Sequence, residues 1–126
     1  MRRTIVTTLC AAVLVLSSGC DNTHESLMDD MLDEMENMIA VLKTIKDEAS
    51  AKSAESKLRS IVDKLNSLQE RVKKVKQPEG EEAKALEKKF EERAKKIMGE
   101  FLSEMMRVSS ISPEVATILS EAKTGD

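Results

Sequence analysis

Residues 26–49 read "SLMDDMLDEMENMIAVLKTIKDEA", and the spacing of their apolar side chains decides the fold. Met28, Met31, Met35, Met38, Leu42 and Ile45 recur at alternating intervals of three and four, which sets them on one face of a helix. Leu32 and Ile39 widen that face. Ser26, three residues before Asp29, gives a start like a capping box, with Asp in the place of the usual Glu.

Downstream, Ala54, Leu58, Ile61, Leu65, Leu68, Val72 and Val75 form a second stripe of the same period. The two stripes are out of phase, because continuing the first past Ile45 meets Ala49 and then Lys52, Ser56 and Arg59. A single straight helix would carry its apolar seam around to solvent. The Ser/Ala-rich "EASAKSAES" at 48–56 is therefore read as the turn between two helices, although continuous helix through 46–56 remains an alternative. "KQPEGEE" at 76–82 is a plainer break, punctuated by Pro78 and Gly80. A third stripe follows at Leu86, Phe90, Ala94, Ile97, Phe101, Met105 and Val108, with steps averaging about 3.7 residues, so this helix is expected to be nearly straight. Gly99 lies inside it, either for close approach of a neighbour or simply tolerated. Ser112 before Pro113 predicts an N-cap, with proline at the first helical position of a short terminal helix carrying Val115, Ile118, Leu119 and Ala122.

Composition agrees with an all-α chain. Glycines number four and prolines two, Trp and Tyr are absent, and charged residues make up 34%. Charge is segregated: residues 21–48 carry a net −7, residues 52–76 a net +5 and residues 79–126 a net −3. If the second helix returns antiparallel to the first, Met31 faces the level of Arg71 and Met38 that of Lys64. Asp29, Asp30 and Asp33 then lie beside Arg71, Lys73 and Lys74.

No catalytic constellation can be assembled. His24 is the sole histidine, and no nucleophile elbow, phosphate-cradling glycine loop or zinc-type cysteine spacing occurs. Carboxylate pairs such as Asp29/Asp33 and Glu87/Glu91 are what solvated helix faces produce by default. The methionines 28, 31, 35 and 38 are soft donors of the type that suits Cu(I). They also occupy the seam that Leu42 and Ile45 continue, and Met is a common core filler. The core reading is favoured, and neither a cofactor nor a metal site is expected. The cluster Arg71, Lys73, Lys74 and Lys76 suits contact with an anionic membrane surface or a partner, and equally the cationic end of a helix.

The N-terminus states where the chain goes. Arg2 and Arg3 precede an uncharged run, Thr4 to Ser18, that is too short to cross a bilayer comfortably, since a spanning helix needs about 20 residues. That run stops at "LSSGC", Leu16 to Cys20, and continues as polar sequence. This end resembles the lipobox of bacterial lipoproteins, with Ser17 where Leu is usual three residues before the cysteine. The resemblance implies cleavage between Gly19 and Cys20 and a lipid on the Cys20 sulfur. Cys10 would leave with the leader, so the mature chain keeps one cysteine, which an internal disulfide cannot use. Acylation gives that cysteine a role. Asp21, next to it, resembles the signal that keeps some lipoproteins in the inner membrane. The murein lipoprotein is also small, acylated and helical, but it ends in a lysine that is linked to peptidoglycan. This chain ends "AKTGD".

The expected organisation is a cleaved signal peptide at 1–19, a lipidated cysteine and tether at 20–25, and an antiparallel, coiled-coil-like three-helix bundle at 26–108. A short C-terminal helix and tail follow at 109–126. The expected role is a non-catalytic interaction or spacer module in the bacterial envelope, facing the periplasm and held by acyl chains on Cys20. A protein partner in the envelope is expected, self-association is left open, and nucleic acid is not a partner. A copper- or small-ligand-binding protein and a surface-displayed helical adhesin are the alternatives.

Overall fold

The computed structural model describes residues 23–122, and all regular structure among them is helical. Four helices follow in order: α1 His24–Thr44, α2 Glu48–Lys74, α3 Gly80–Ser109 and α4 Pro113–Ser120. At 1.5 Å per residue the three long helices measure about 30 to 45 Å. The expected signal peptide at 1–19 and the expected lipidation site at Cys20 lie outside the described residues, as does the tail from residue 123.

α1 begins earlier than its stripe suggested. Thr23, not Ser26, is the N-cap, and its hydroxyl oxygen accepts from the Ser26 N–H at 3.1 Å. His24 and Glu25, expected in the tether, form the first turn of the helix.

The break between α1 and α2 also falls elsewhere than expected. "EASAKSAES" is not the turn but the opening of α2, and the turn consists of Ile45, Lys46 and Asp47. Asp47 Oδ1 accepts from the Ser50 N–H at 2.7 Å, while Ser50 Oγ accepts from the Asp47 N–H at 3.0 Å and the Lys46 N–H at 2.9 Å. This reciprocal box satisfies the free donors of the helix start, so Ser and Ala can continue the helix behind it. The turn needs neither glycine nor proline, because the fully buried Ile45 pins it into the core.

At the other break, Gly80 takes φ +59°, a left-handed conformation that costs an L side chain about 1–2 kcal/mol. Gly99 has nothing within 4 Å of where a Cβ would sit, so it is tolerated there and does not serve close approach. Ser112 holds the backbone N-cap position of α4, but its hydroxyl bonds Glu114 at 3.1 Å and not the helix N–H groups.

α1 packs on both α2 and α3, and α4 packs on both α2 and α3, whereas no close backbone approach joins α2 to α3. α1 therefore buries two flanks, which explains why Leu27, Leu32, Met38, Ile39, Leu42 and Ile45 are all buried although they exceed one narrow stripe. One core joins the end of α1 to the first half of α2 and to α4, through Leu42, Ile45, Leu58, Val108, Val115 and Ile118. A second core joins α1 to α3 through Leu32, Ile39, Phe90 and Ile97. This arrangement is compatible with the expected three long helices plus a short one.

The ionic pairing departs from expectation. Asp30 and Asp33 line one groove with Arg71, as expected, but Asp29 and Asp33 pair directly with Arg93 of α3, which they surround with Glu36, at 2.6 Å from Asp29 and 3.1 Å from Glu36. These carboxylates, Glu36 first and then Asp33, raise the Arg93 pKa further. Lys89 pairs with Glu25 and Lys43 with Glu100, so α1 and α3 run parallel in matched register. α2 is antiparallel to α1 and contributes Lys64, which reaches Glu34 at 3.4 Å, one turn from the expected level.

A pH dependence follows. The Ser50 amide and hydroxyl hold the Asp47 carboxyl below its usual range, and Lys43 does the same for Glu100. The hydrogen bond that Lys89 donates to the Glu25 carboxylate raises the Lys89 pKa. Depressed carboxylates contribute stability that is present above their unfolded pKa, about 4, and lost as pH falls through the folded value. The raised lysine contributes below about 10.5 and loses its contribution as pH rises through its folded value. The contribution of these three groups to the melting temperature should therefore be constant between about pH 5 and 10 and fall on both sides. In Asp47→Asn, which caps without titrating, the acid-side fall should be shallower. An unchanged acid limb would remove Asp47 from the explanation.

Candidate functional site at the chain-entry end

The first residues of α1 meet the segment that follows α2. Thr23, His24 and Glu25 line one depression together with Val75, Lys76, Gln77 and Pro78, and Leu86 of α3 closes it. Gln77 donates to the Val72 carbonyl at 2.8 Å and so caps the end of α2. The chain therefore enters this end of the domain a few residues after Cys20, beside Lys76.

The four cations singled out in the sequence have different surroundings. Arg71 lines a shallow groove with Asp30, Asp33 and Lys64. Lys73 pairs with Glu70 of its own helix at 3.7 Å. Lys74 and Lys76 are exposed. An exposed pair such as Lys73–Glu70 adds only about 0–1 kcal/mol.

His24 is the residue that sequence reasoning undervalued. It lies half-buried at the start of α1, and its Nδ1 is buried without a hydrogen-bond partner. From the depression above, it also faces an adjoining groove of about 410 Å³ between the starts of α1 and α3, whose walls include Met28, Ala83, Leu86 and Phe90. The only advance signal was its position just ahead of the stripe, which had been read as tether.

Three of the four stripe methionines pack into the cores, and Met31 is half-buried outside both. Met38 is buried, while Met28 and Met35 pack on the α1–α3 core. Among the described residues no group of three His, Cys, Asp or Glu side chains is placed to hold a metal ion. Replacing Met31 and Met35 with Leu should change stability by only about 1–2 kcal/mol, as near volume-conserving swaps do. A Cu(I) titration should find no tight site in the wild type. Tight binding that disappears in the double variant would reassign the stripe to copper.

The outer face of α3 carries an exposed apolar row: Met98 and Leu102, each 47% exposed, and Met106, 73% exposed. Large apolar side chains spaced four apart on a solvated helix are a feature of contact surfaces. No described helix is long and apolar enough to cross a membrane. No protein-family model, curated protein or solved structure matches the chain.

Proposed function

We propose that this chain is a lipid-anchored protein of the bacterial cell envelope that acts as a non-catalytic helical interaction or spacer module. Its domain is read as an antiparallel bundle of α1, α2 and α3, closed at one end by α4. The observation that carries the proposal is "LSSGC" at Leu16–Cys20, followed after three residues by the start of α1. The sulfur of Cys20 takes a diacylglycerol, and the protein faces the periplasm. Two or more acyl chains anchor stably where one is marginal, each buried CH₂ contributing about 0.8 kcal/mol.

The short link from Cys20 to His24 holds the entry end of the domain near the bilayer. There the exposed Lys74 and Lys76 each add about 1 kcal/mol against anionic lipid, while Lys73 is paired with Glu70 and Arg71 lies in a groove with Asp30 and Asp33. The exposed row on α3 supports an envelope protein as partner in preference to a purely passive spacer.

Fractionation of cells and mass spectrometry of the purified N-terminus test the reading. Wild type should sediment with membranes and begin at an acylated Cys20. Cys20→Ala should be soluble or retain residues 1–19. An unmodified Cys20, or wild type in the soluble fraction, would overturn the assignment.

A further inference from the structure

We propose that the groove between the starts of α1 and α3 binds the acyl chain of a neutral, hydroxyl-bearing single-chain lipid, the chemistry of a monoacylglycerol. The inference goes beyond the anchor and stands whether or not Cys20 is acylated.

Three observations carry it. The groove holds about 410 Å³, within the roughly 300–1,000 Å³ typical of ligand sites. Its floor is hydrocarbon from Met28, Ala83, Leu86 and Phe90, and the nearby Lys95 and Glu91 are paired with each other. It therefore suits an alkyl chain, which needs contact and no hydrogen bonds.

At one end the groove opens into the polar depression formed by Thr23, Lys76 and Gln77, and His24, Pro78 and Leu86 line both spaces. Apolar trough and polar vestibule together have the polarity profile of an amphiphile. The half-buried imidazole of His24 lies at this junction, and its Nδ1 has no hydrogen-bond partner in the domain. The imidazole nitrogen donates or accepts according to tautomer, and a hydroxyl satisfies either state.

Charge selects the headgroup. Lys76 shares the vestibule with Glu25 and Glu82, and Glu25 is already engaged by Lys89. The vestibule thus offers no net positive charge to a carboxylate or phosphate. A neutral glycerol head fits it better than an anionic one.

The test places a photoreactive diazirine amino acid at Met28 in the full-length chain, mixed with phosphatidylcholine vesicles containing monoolein. Mass spectrometry identifies what is cross-linked on illumination. The expected product is a saturable monoolein adduct, with oleate competing about tenfold less effectively than unlabelled monoolein. Ala83→Phe, which fills the groove from its half-buried wall on α3, should abolish the adduct while leaving helical content unchanged. His24→Phe keeps the trough and removes the polar partner, so it should erase the preference for monoolein over oleate. Adducts to residues 1–22, to a second copy of the chain or equally to phosphatidylcholine would overturn the proposal. So would labelling that survives in Ala83→Phe.

Discussion

Ile118→Asp is expected to abolish the core at the α4 end of the molecule. Ile118 is fully buried where α4 packs on α2 and α3, in a cluster with Leu42, Ile45, Leu58, Val108 and Val115. No cation is among those side chains, so an aspartate there would be an unpaired buried charge. Such a group costs several kcal/mol, and the chain escapes by undocking α4. Undocking exposes Leu58 and Val108, and the loss approaches the whole stability of about 5–15 kcal/mol expected for a small domain. Ile118→Ala should cost about 2–5 kcal/mol, the range for a buried aliphatic side chain cut back to a cavity. Thr117→Asp is the control, because Thr117 is exposed on the same helix, and surface changes usually stay within about 0.5 kcal/mol. Urea denaturation of the three variants decides it. Equal effects at 117 and 118 would mean that α4 does not dock as described.

The second large effect concerns Arg107. Its guanidinium reaches from α3 to the end of α1 and donates to the Ile45 carbonyl at 2.7 Å and the Leu42 carbonyl at 2.8 Å. Glu104 holds the same guanidinium at 2.6 Å and fixes its orientation. The Leu42 carbonyl also accepts from the Ile45 N–H at 3.0 Å, while the Ile45 carbonyl lies just past the helix end, so Arg107 supplies donors to the C-terminal carbonyls of α1 in the manner of a C-cap. Arg107→Ala should destabilise by about 2–3 kcal/mol, the scale of hydrogen bonds that involve a charged donor. Arg107→Lys should recover less than half of that, because an ammonium cannot fork to two carbonyls. Hydrogen exchange at residues 46–50 should accelerate in both variants. If Arg107→Lys matches wild type, net charge near the helix end is what matters, and not the two-pronged cap.

The contrast between Arg107 and Asp47 shows how far the linear chain could be read. Helix type, number and approximate extent are local properties. Period, proline and glycine positions and the uneven charge expose them, and the stripe on α3 from Leu86 to Val108 is buried or half-buried throughout. The Asp47–Ser50 box was also local and open to reading. It was passed over because its residues resemble an ordinary Ser/Ala-rich connector. The Arg107 cap was not open to reading at all, since it joins residues more than 60 positions apart.

The same holds for the acidic face of α1. Its net charge asks for cations, but long-range ion pairs carry no sequence period. Only the parallel register of α1 and α3 assigns Asp29 and Asp33 to Arg93. Likewise, the role of α1 as the helix packed on two flanks explains its broad apolar surface, and the two cores decide which of those side chains faces which neighbour. His24 belongs to this second class. Its character as a lone histidine near the chain start is written in the sequence. Its buried, unpartnered nitrogen at the mouth of an apolar groove arises only when the starts of α1 and α3 and the segment that follows α2 come together. Periodicity fixes which faces must be buried because burial follows a repeat along one helix. Pairing among faces depends on how helices distant in sequence approach, and no local repeat encodes that.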